Sequence, residues 1–260
     1  MKLIKTLVAA ATLAWAGLGL AQDYPTRPIT FLVPPAPGGR VDGIARALAD
    51  EMGKRLGQPI VIDNKPGASG VLATGAVARA NPDGYTVLVT HSAPILNVPY
   101  LLPKVPYDPR RDLSYISQIC NGQLVVAVNP KMVPAKSMKE FVAWAEKNKG
   151  KVSYGSYGLG SAGHLYSAYL SQSRDLDMVH AAYKGEAQML QDLMGGQVAW
   201  GIGSLGAMAP FLDNGKLVAL ASIADRRPQN LPNVPTMAEA GFTEREFKSF
   251  GWIGLLGPAN

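Results

Sequence analysis

The sequence predicts an α/β protein in which short buried strands alternate with capped amphipathic helices. Three observations carry this. Short apolar runs recur along the chain, each bounded by Gly, Pro or Asn. Segments with helical spacing and clear end signals lie between them. Hydrophobic residues make up 47% of the chain against 17% charged, which fills a core and excludes disorder.

Taken in order, residues 1–21 read as an export leader. Lys2 and Lys5 precede an apolar run over 6–20, and small Gly19 and Ala21 place cleavage before Gln22. The run is about 15 residues long, short of the roughly 20 that span a bilayer. A soluble exported protein is therefore expected, with a retained anchor the alternative. Strands are expected at 29–34, 59–64, 85–90, 124–129, 152–157, 178–183, 198–202 and 217–224, as continuous runs of the kind found in parallel sheets. Between the first two, Val41, Ile44, Ala45, Leu48, Met52 and Leu56 share one helical face. Asp42 lies in the first turn, Lys54 and Arg55 in the last, and Gly57 just beyond. A second helix opens at Ser137 with Glu140 three residues on, a capping box. A third carries Leu190, Leu193 and Met194 and stops at Gly195-Gly196. Residues 118–128 and 247–256 read as crossings between lobes. That divides the chain into lobe 1 over 22–122, lobe 2 over 123–246 and a return toward lobe 1 over 247–260. A single larger α/β domain also suits this length.

The formal net charge is +6 with no run of five or six Lys/Arg, so a nucleic-acid partner is not expected. The single Cys120 excludes an internal disulfide and a cysteine-based metal cluster, and is expected to be a small buried hydrophobe. His91, His164 and His180 lack metal-ligand spacing. His180, on a strand, is expected to be a hydrogen-bonded structural residue.

Three motifs bear on chemistry. Val33-Pro34-Pro35-Ala36-Pro37-Gly38-Gly39 ends a strand and opens the first helix. Glycines there let the backbone approach a ligand, and the unpaired N–H groups of a helix start attract an anion. An ordinary tight βα turn fits the same residues. The second motif is Gly155-Ser156-Tyr157-Gly158-Leu159-Gly160-Ser161-Ala162-Gly163-His164, before a helix starting near Ser161. It contains G-x-G-x-x-G, but Tyr183-Lys184-Gly185 stands where a dinucleotide site needs an acid, and no cofactor is expected. Ser156, Ser161 and the loop's N–H groups still face an anion at a helix start. The third motif, His180-Ala181-Ala182-Tyr183-Lys184-Gly185, places the Tyr183 hydroxyl for donation to a bound oxygen. Ser161 is not set in a nucleophile elbow, since Leu159 replaces the required Gly, and catalysis is not expected.

Across the chain a set of stretches resembles one family. They are Tyr24-Pro25-Thr26-Arg27-Pro28-Ile29, the 33–39 turn, Gly57-Gln58-Pro59-Ile60-Val61-Ile62-Asp63-Asn64-Lys65-Pro66-Gly67-Ala68 and Pro82-Asp83-Gly84-Tyr85-Thr86. With them come Pro106-Tyr107-Asp108-Pro109, the 158–165 loop, Tyr183-Lys184-Gly185, Gly195-Gly196-Gln197 and Pro232-Asn233-Val234-Pro235-Thr236. Together, in this order, they resemble the Bug-type extracytoplasmic solute receptors of tripartite tricarboxylate transporters. The resemblance implies a type II periplasmic-binding-protein fold, two α/β lobes with a ligand cleft between them, and no enzymatic activity. It implies a periplasmic monomer that takes a small organic carboxylate and hands it to the transporter's membrane subunits. The ligand would meet Ala36, Gly38 and Gly39 from one lobe and Ser156, Gly158, Ser161 and Ala162 from the other, with Ser92 and Tyr183 lining the cleft.

The chain departs from the family at Pro35, Arg40, Val41, Val71 and Gly203-Ser204. Arg40 is expected to point to solvent, the alternative being a charged contact with ligand. The sequence also stops where family members continue, so the first lobe is expected to be truncated at its C-terminus. Alternatives to transport are a sensor partnering a membrane signalling protein, a truncated non-binding remnant, and least of all an exported α/β hydrolase.

Overall fold

A computed structural model describes residues 24–248 and 251–260. The leader expected at residues 1–21 lies outside the described residues. Ten strands form two five-stranded sheets among those described. The first has the order β2(Ile60–Asn64), β1(Ile29–Val33), β3(Thr86–His91), β10(Trp252–Pro258), β4(Leu113–Asn121). The second runs β7(Val179–Ala182), β6(Ser153–Ser156), β8(Trp200–Ser204), β5(Leu124–Val128), β9(Val218–Ile223).

Each sheet is covered on both faces, which is why its central strands read as unbroken apolar runs. On the first sheet, Phe31 and Val33 pack with Val41, Ala45 and Ala49 of α1(Arg40–Leu56). Leu32 and Leu88 face the other way, onto Ala73 and Val77 of α2(Val71–Val77). Between β3 and β4 come the short α3(Ala93–Leu96) and α4(Val98–Leu101). On the second sheet, Val126 and Trp200 meet Phe141 of α5(Met138–Lys147) and Tyr166 and Leu170 of α6(Ala162–Ser173). Its other face packs Val125 on Met189 and Leu193 of α7(Glu186–Gly195) and Leu205 and Met208 of α8(Leu205–Asp213). Each of the Val, Leu, Phe and Met side chains among these, fully buried, contributes about 1.5–3 kcal/mol.

Helix ends follow the sequence signals. Gly57 takes the left-handed conformation, φ 69°, and its N–H closes α1 on Gly53 O. Ser137 Oγ accepts the Glu140 amide at 3.2 Å, while Glu140 Oε2 reaches back to the Lys136 amide at 2.8 Å. Gly196, φ 78°, ends α7.

The sheets are mixed rather than parallel. β5 runs antiparallel to β8 and β9, and β10 antiparallel to β3 and β4. The cause is the connectivity: β4 passes into β5 through Gly122-Gln123 without a helix, and β10 re-enters the first sheet between β3 and β4. The two crossings touch, with the Gly122 amide donating to Gly251 O at 2.8 Å. Cys120, on β4, is half-buried rather than a core residue, because β4 is an edge strand with Tyr115 56% and Ile116 57% exposed. None of the described helices is long and apolar enough to cross a membrane.

Candidate functional site

The loops at one end of the two sheets face each other. From the first sheet come the β1–α1 loop, the turn Ala68–Gly70, and His91 and Ser92 at the end of β3. From the second come residues 156–162, residues 182–186 and Ser204. Direct hydrogen bonds join these walls. The Ala36 amide donates to Lys184 O at 3.1 Å, and Asn97 Nδ2 donates to Gly160 O at 2.9 Å. The Arg40 amide donates to Glu186 Oε2 at 3.3 Å.

Two cavities lie between the walls. One, of about 60 Å³, is lined by residues that include Gly39, Arg40, Ser92, Ala162, Glu186, Ser204 and Trp252. It has room for roughly four water positions or a small carboxylate head. The other, of about 280 Å³, is lined in part by Ser69, Gly158, Ser161, Tyr183 and Lys184. Pro35, His91 and Tyr157 line both, and His91 and Tyr157 meet edge to face at 5.9 Å. Burial lowers the His91 pKa to about 4, so the ring is neutral at physiological pH. Burial likewise pushes the Tyr157 hydroxyl up. Ala68 and Ser69 hold φ of 44° and 55° in the wall of the larger cavity, left-handed values that non-glycine residues seldom adopt.

The predicted residues therefore divide. Gly39, Ser92 and Ala162 line the smaller cavity, and Gly158, Ser161 and Tyr183 the larger, while Ala36, Gly38 and Ser156 line neither. The first helix start does attract anions, but the protein supplies them. The Gly38 amide donates to Asp42 Oδ2 at 3.0 Å, and the Arg40 amide is taken by Glu186.

At the second helix start, Ser161 Oγ caps α6 through the His164 amide at 3.2 Å, and Tyr157 Oη accepts the Gly163 amide at 3.3 Å. The first amides of a helix have no intrahelical acceptor. With those two satisfied, the Ala162 amide is the one at this helix start that is left to receive an anion. Gly163 allows this geometry, since a Cβ there would stand 2.5 Å from Ile202 O. Ser156 Oγ bonds His180 Nε2 at 2.7 Å and accepts the Gly158 amide at 3.4 Å, so both shape the loop from behind. His180 is thus a hydrogen-bonded strand residue.

Two side chains differ from the sequence expectation. Tyr183 donates its hydroxyl to Asp192 Oδ2 at 2.8 Å instead of to the cleft, the acid sitting nearly two turns into α7. Burial and that acid raise its pKa to about 12. Arg40 does not extend into solvent: its Nη2 donates to Asn121 O at 3.1 Å and reaches Cys120 Sγ at 3.6 Å, tying α1 to the crossing strand.

Glu186, Ser204, His91, Tyr157 and Trp252 also line the smaller cavity, though none of them is among the ligand contacts expected from the sequence. The signal for Glu186 was present: a carboxylate immediately after Lys184-Gly185, at a helix start aimed into the cleft.

Known proteins place this architecture. Residues 44–260 match the family model described as "Tripartite tricarboxylate transporter family receptor". "Protein BugT" of Bordetella pertussis is 36% identical over 239 residues, covering 92% of this chain and 72% of that protein. A solved "periplasmic transporter" superposes with a TM-score of 0.86 at 39% identity, over 91% of this chain and 78% of that one. An R. palustris protein solved with adipate gives a TM-score of 0.87 at 31% identity, covering 91% and 78%. MatC from Rhodopseudomonas palustris, with bound malate, gives 0.84 at 33%, covering 90% and 79%. The chain belongs to the tripartite tricarboxylate transporter receptor family, has its two-lobed periplasmic-binding-protein fold, and is a solute-binding receptor rather than an enzyme.

Proposed function

We propose that this receptor captures a small organic carboxylate between its lobes in the periplasm and presents the closed, loaded form to the membrane subunits of a tripartite transporter. One observation carries the reading. Loops of both sheets meet around a cavity on whose wall an uncapped helix-start amide, Ala162, and a buried hydroxyl residue, Ser92, can receive an anion. The relatives solved with adipate and malate support the ligand class. The leader read from the sequence at residues 1–21 agrees with that location.

In this reading the lobes are 22–122 and 123–246, with 247–260 returning to the first. The adjoining crossings at Gly122 and Gly251 form the hinge. A ligand touching both walls stabilises only the closed arrangement and shifts the population toward it. Gly39, Ser92 and Ala162 touch the ligand in this scheme. Gly158 and Ser161 shape the receiving loop, and Ala36 and Gly38 set the first wall.

The test is equilibrium binding of the parent and a Ser92→Ala variant to a panel of mono-, di- and aminocarboxylates. Binding of one class, weakened about tenfold or more by the substitution while the melting curve stays in place, supports the assignment. A parent that binds none of the panel removes it.

A further inference from the structure

Glu186 has no counterpart in the simple picture of amides receiving an anion. It opens α7 and is 7% exposed. Its Oε1 accepts from the Ser204 amide, and its Oε2 from the Ser204 hydroxyl at 2.8 Å and the Arg40 amide at 3.3 Å. Glycines make room for it: a Cβ on Gly203 would lie 3.0 Å from Oε1, and one on Gly39 would lie 3.4 Å from the Glu186 Cβ. Burial raises the carboxyl's pKa, and these three donors and the Arg40 charge work the other way. A carboxylate is normally buried with a cationic partner. Among the described residues Glu186 makes no ion pair.

The cavity it lines holds a positive group too. Arg40 is on the same wall, with its Nη2 anchored to Asn121 O and Cys120 Sγ rather than to Glu186. His91, neutral through burial, adds no charge. Tyr157 and Trp252 complete the walls with ring surfaces that favour a cation. A chamber lined by a buried carboxyl that has no ion-pair partner, an arginine anchored elsewhere and aromatic rings is the complement of a zwitterion.

We infer that the ligand is an aminocarboxylate, with its protonated nitrogen seated on Glu186 and its carboxylate on the Ala162 amide beside Ser92 and Arg40. This rests on the carboxylate-capture reading and narrows it. A second carboxylate in place of the nitrogen meets Glu186 with like charge, so plain dicarboxylates such as those held by the relatives are disfavoured here.

Calorimetric titration of the full mature chain tests the inference with matched pairs: aspartate against succinate, glutamate against glutarate, leucine against 4-methylpentanoate, and betaine-type N-methylated forms against their des-amino acids. At least one amino member is expected to bind tenfold or more tighter than its partner, and Glu186→Gln to abolish that preference. Equal or tighter binding of the des-amino members by the parent protein overturns the inference while leaving carboxylate capture standing. That comparison uses unmodified protein, so it holds even where the variant folds poorly. A preference that survives in well-folded Glu186→Gln also overturns it. Failure of every compound, amino or not, removes both readings together.

Discussion

His91 stands at the divide between the two cavities, and its burial supplies stability that acid removes. Burial takes its pKa from 6.5 to about 4, since charging the ring there forfeits hydration. Its Nδ1 accepts the Ala93 amide at 3.2 Å, so protonation also sets a donor against a donor. A group whose folded-state pKa lies below its unfolded value stabilises the fold fully above the unfolded value, here 6.5. That contribution is lost as pH falls toward the folded value, here about 4. Linkage over this interval gives at most about 2.6 kcal/mol between about pH 7.5 and pH 4.5. In a chain of this size, that corresponds to roughly 5–10 °C in melting temperature. The assay is a set of thermal melts across that range at constant ionic strength, for the parent and His91→Asn. The asparagine amide oxygen retains an acceptor for Ala93 and does not titrate. His180, also lowered to about 4 by burial and by His164, is common to both proteins and cancels. The parent is expected to lose roughly 5–10 °C more than the variant. Parallel pH slopes would refute the argument.

Other substitutions probe the frame and the walls. Gly163→Ala puts a Cβ 2.5 Å from the Ile202 carbonyl, which a sheet backbone does not yield easily. A loss of about 2–4 kcal/mol in denaturant unfolding is expected. Asn97→Ala removes the bond to Gly160 O between the walls, so affinity for a bound carboxylate should fall by about 1 kcal/mol in calorimetry. Tyr183→Phe loses a hydroxyl engaged by Asp192 rather than by the cleft. It should lower stability by about 1 kcal/mol yet leave ligand affinity within about twofold.

What the sequence makes legible, and what it hides, follows from how local each feature is. β1, β3, β5, β6 and β8 are readable because central strands with both faces covered carry continuous apolar runs, and the edge strands β2, β7 and β9 are readable from short apolar runs alone. β4 is not: at the sheet edge, residues 114–118 are exposed and no alternation marks them. β10 includes Gly254 and Gly257 and pairs with strands more than a hundred residues earlier, so its residues read only as a crossing. The glycine turns of the site are legible because close backbone approach demands glycine locally. Which amides remain for a ligand is not. Glu186 meets the Arg40 amide from 146 positions away, and only the apposition of loops from the two sheets brings them together. Asp192 captures the Tyr183 hydroxyl through a loop-to-helix geometry that residue spacing alone does not fix.

Ligand-dependent melting of the mature chain bears most directly on the central claim, that apposed loops close on a carboxylate. Each acid of the panel is compared with its uncharged amide at about 100 times the dissociation constant measured for it. The account predicts stabilisation of roughly 2.7 kcal/mol by a carboxylate and none by its amide. A panel that leaves the melt unmoved, or amides that stabilise as well as acids, would contradict it.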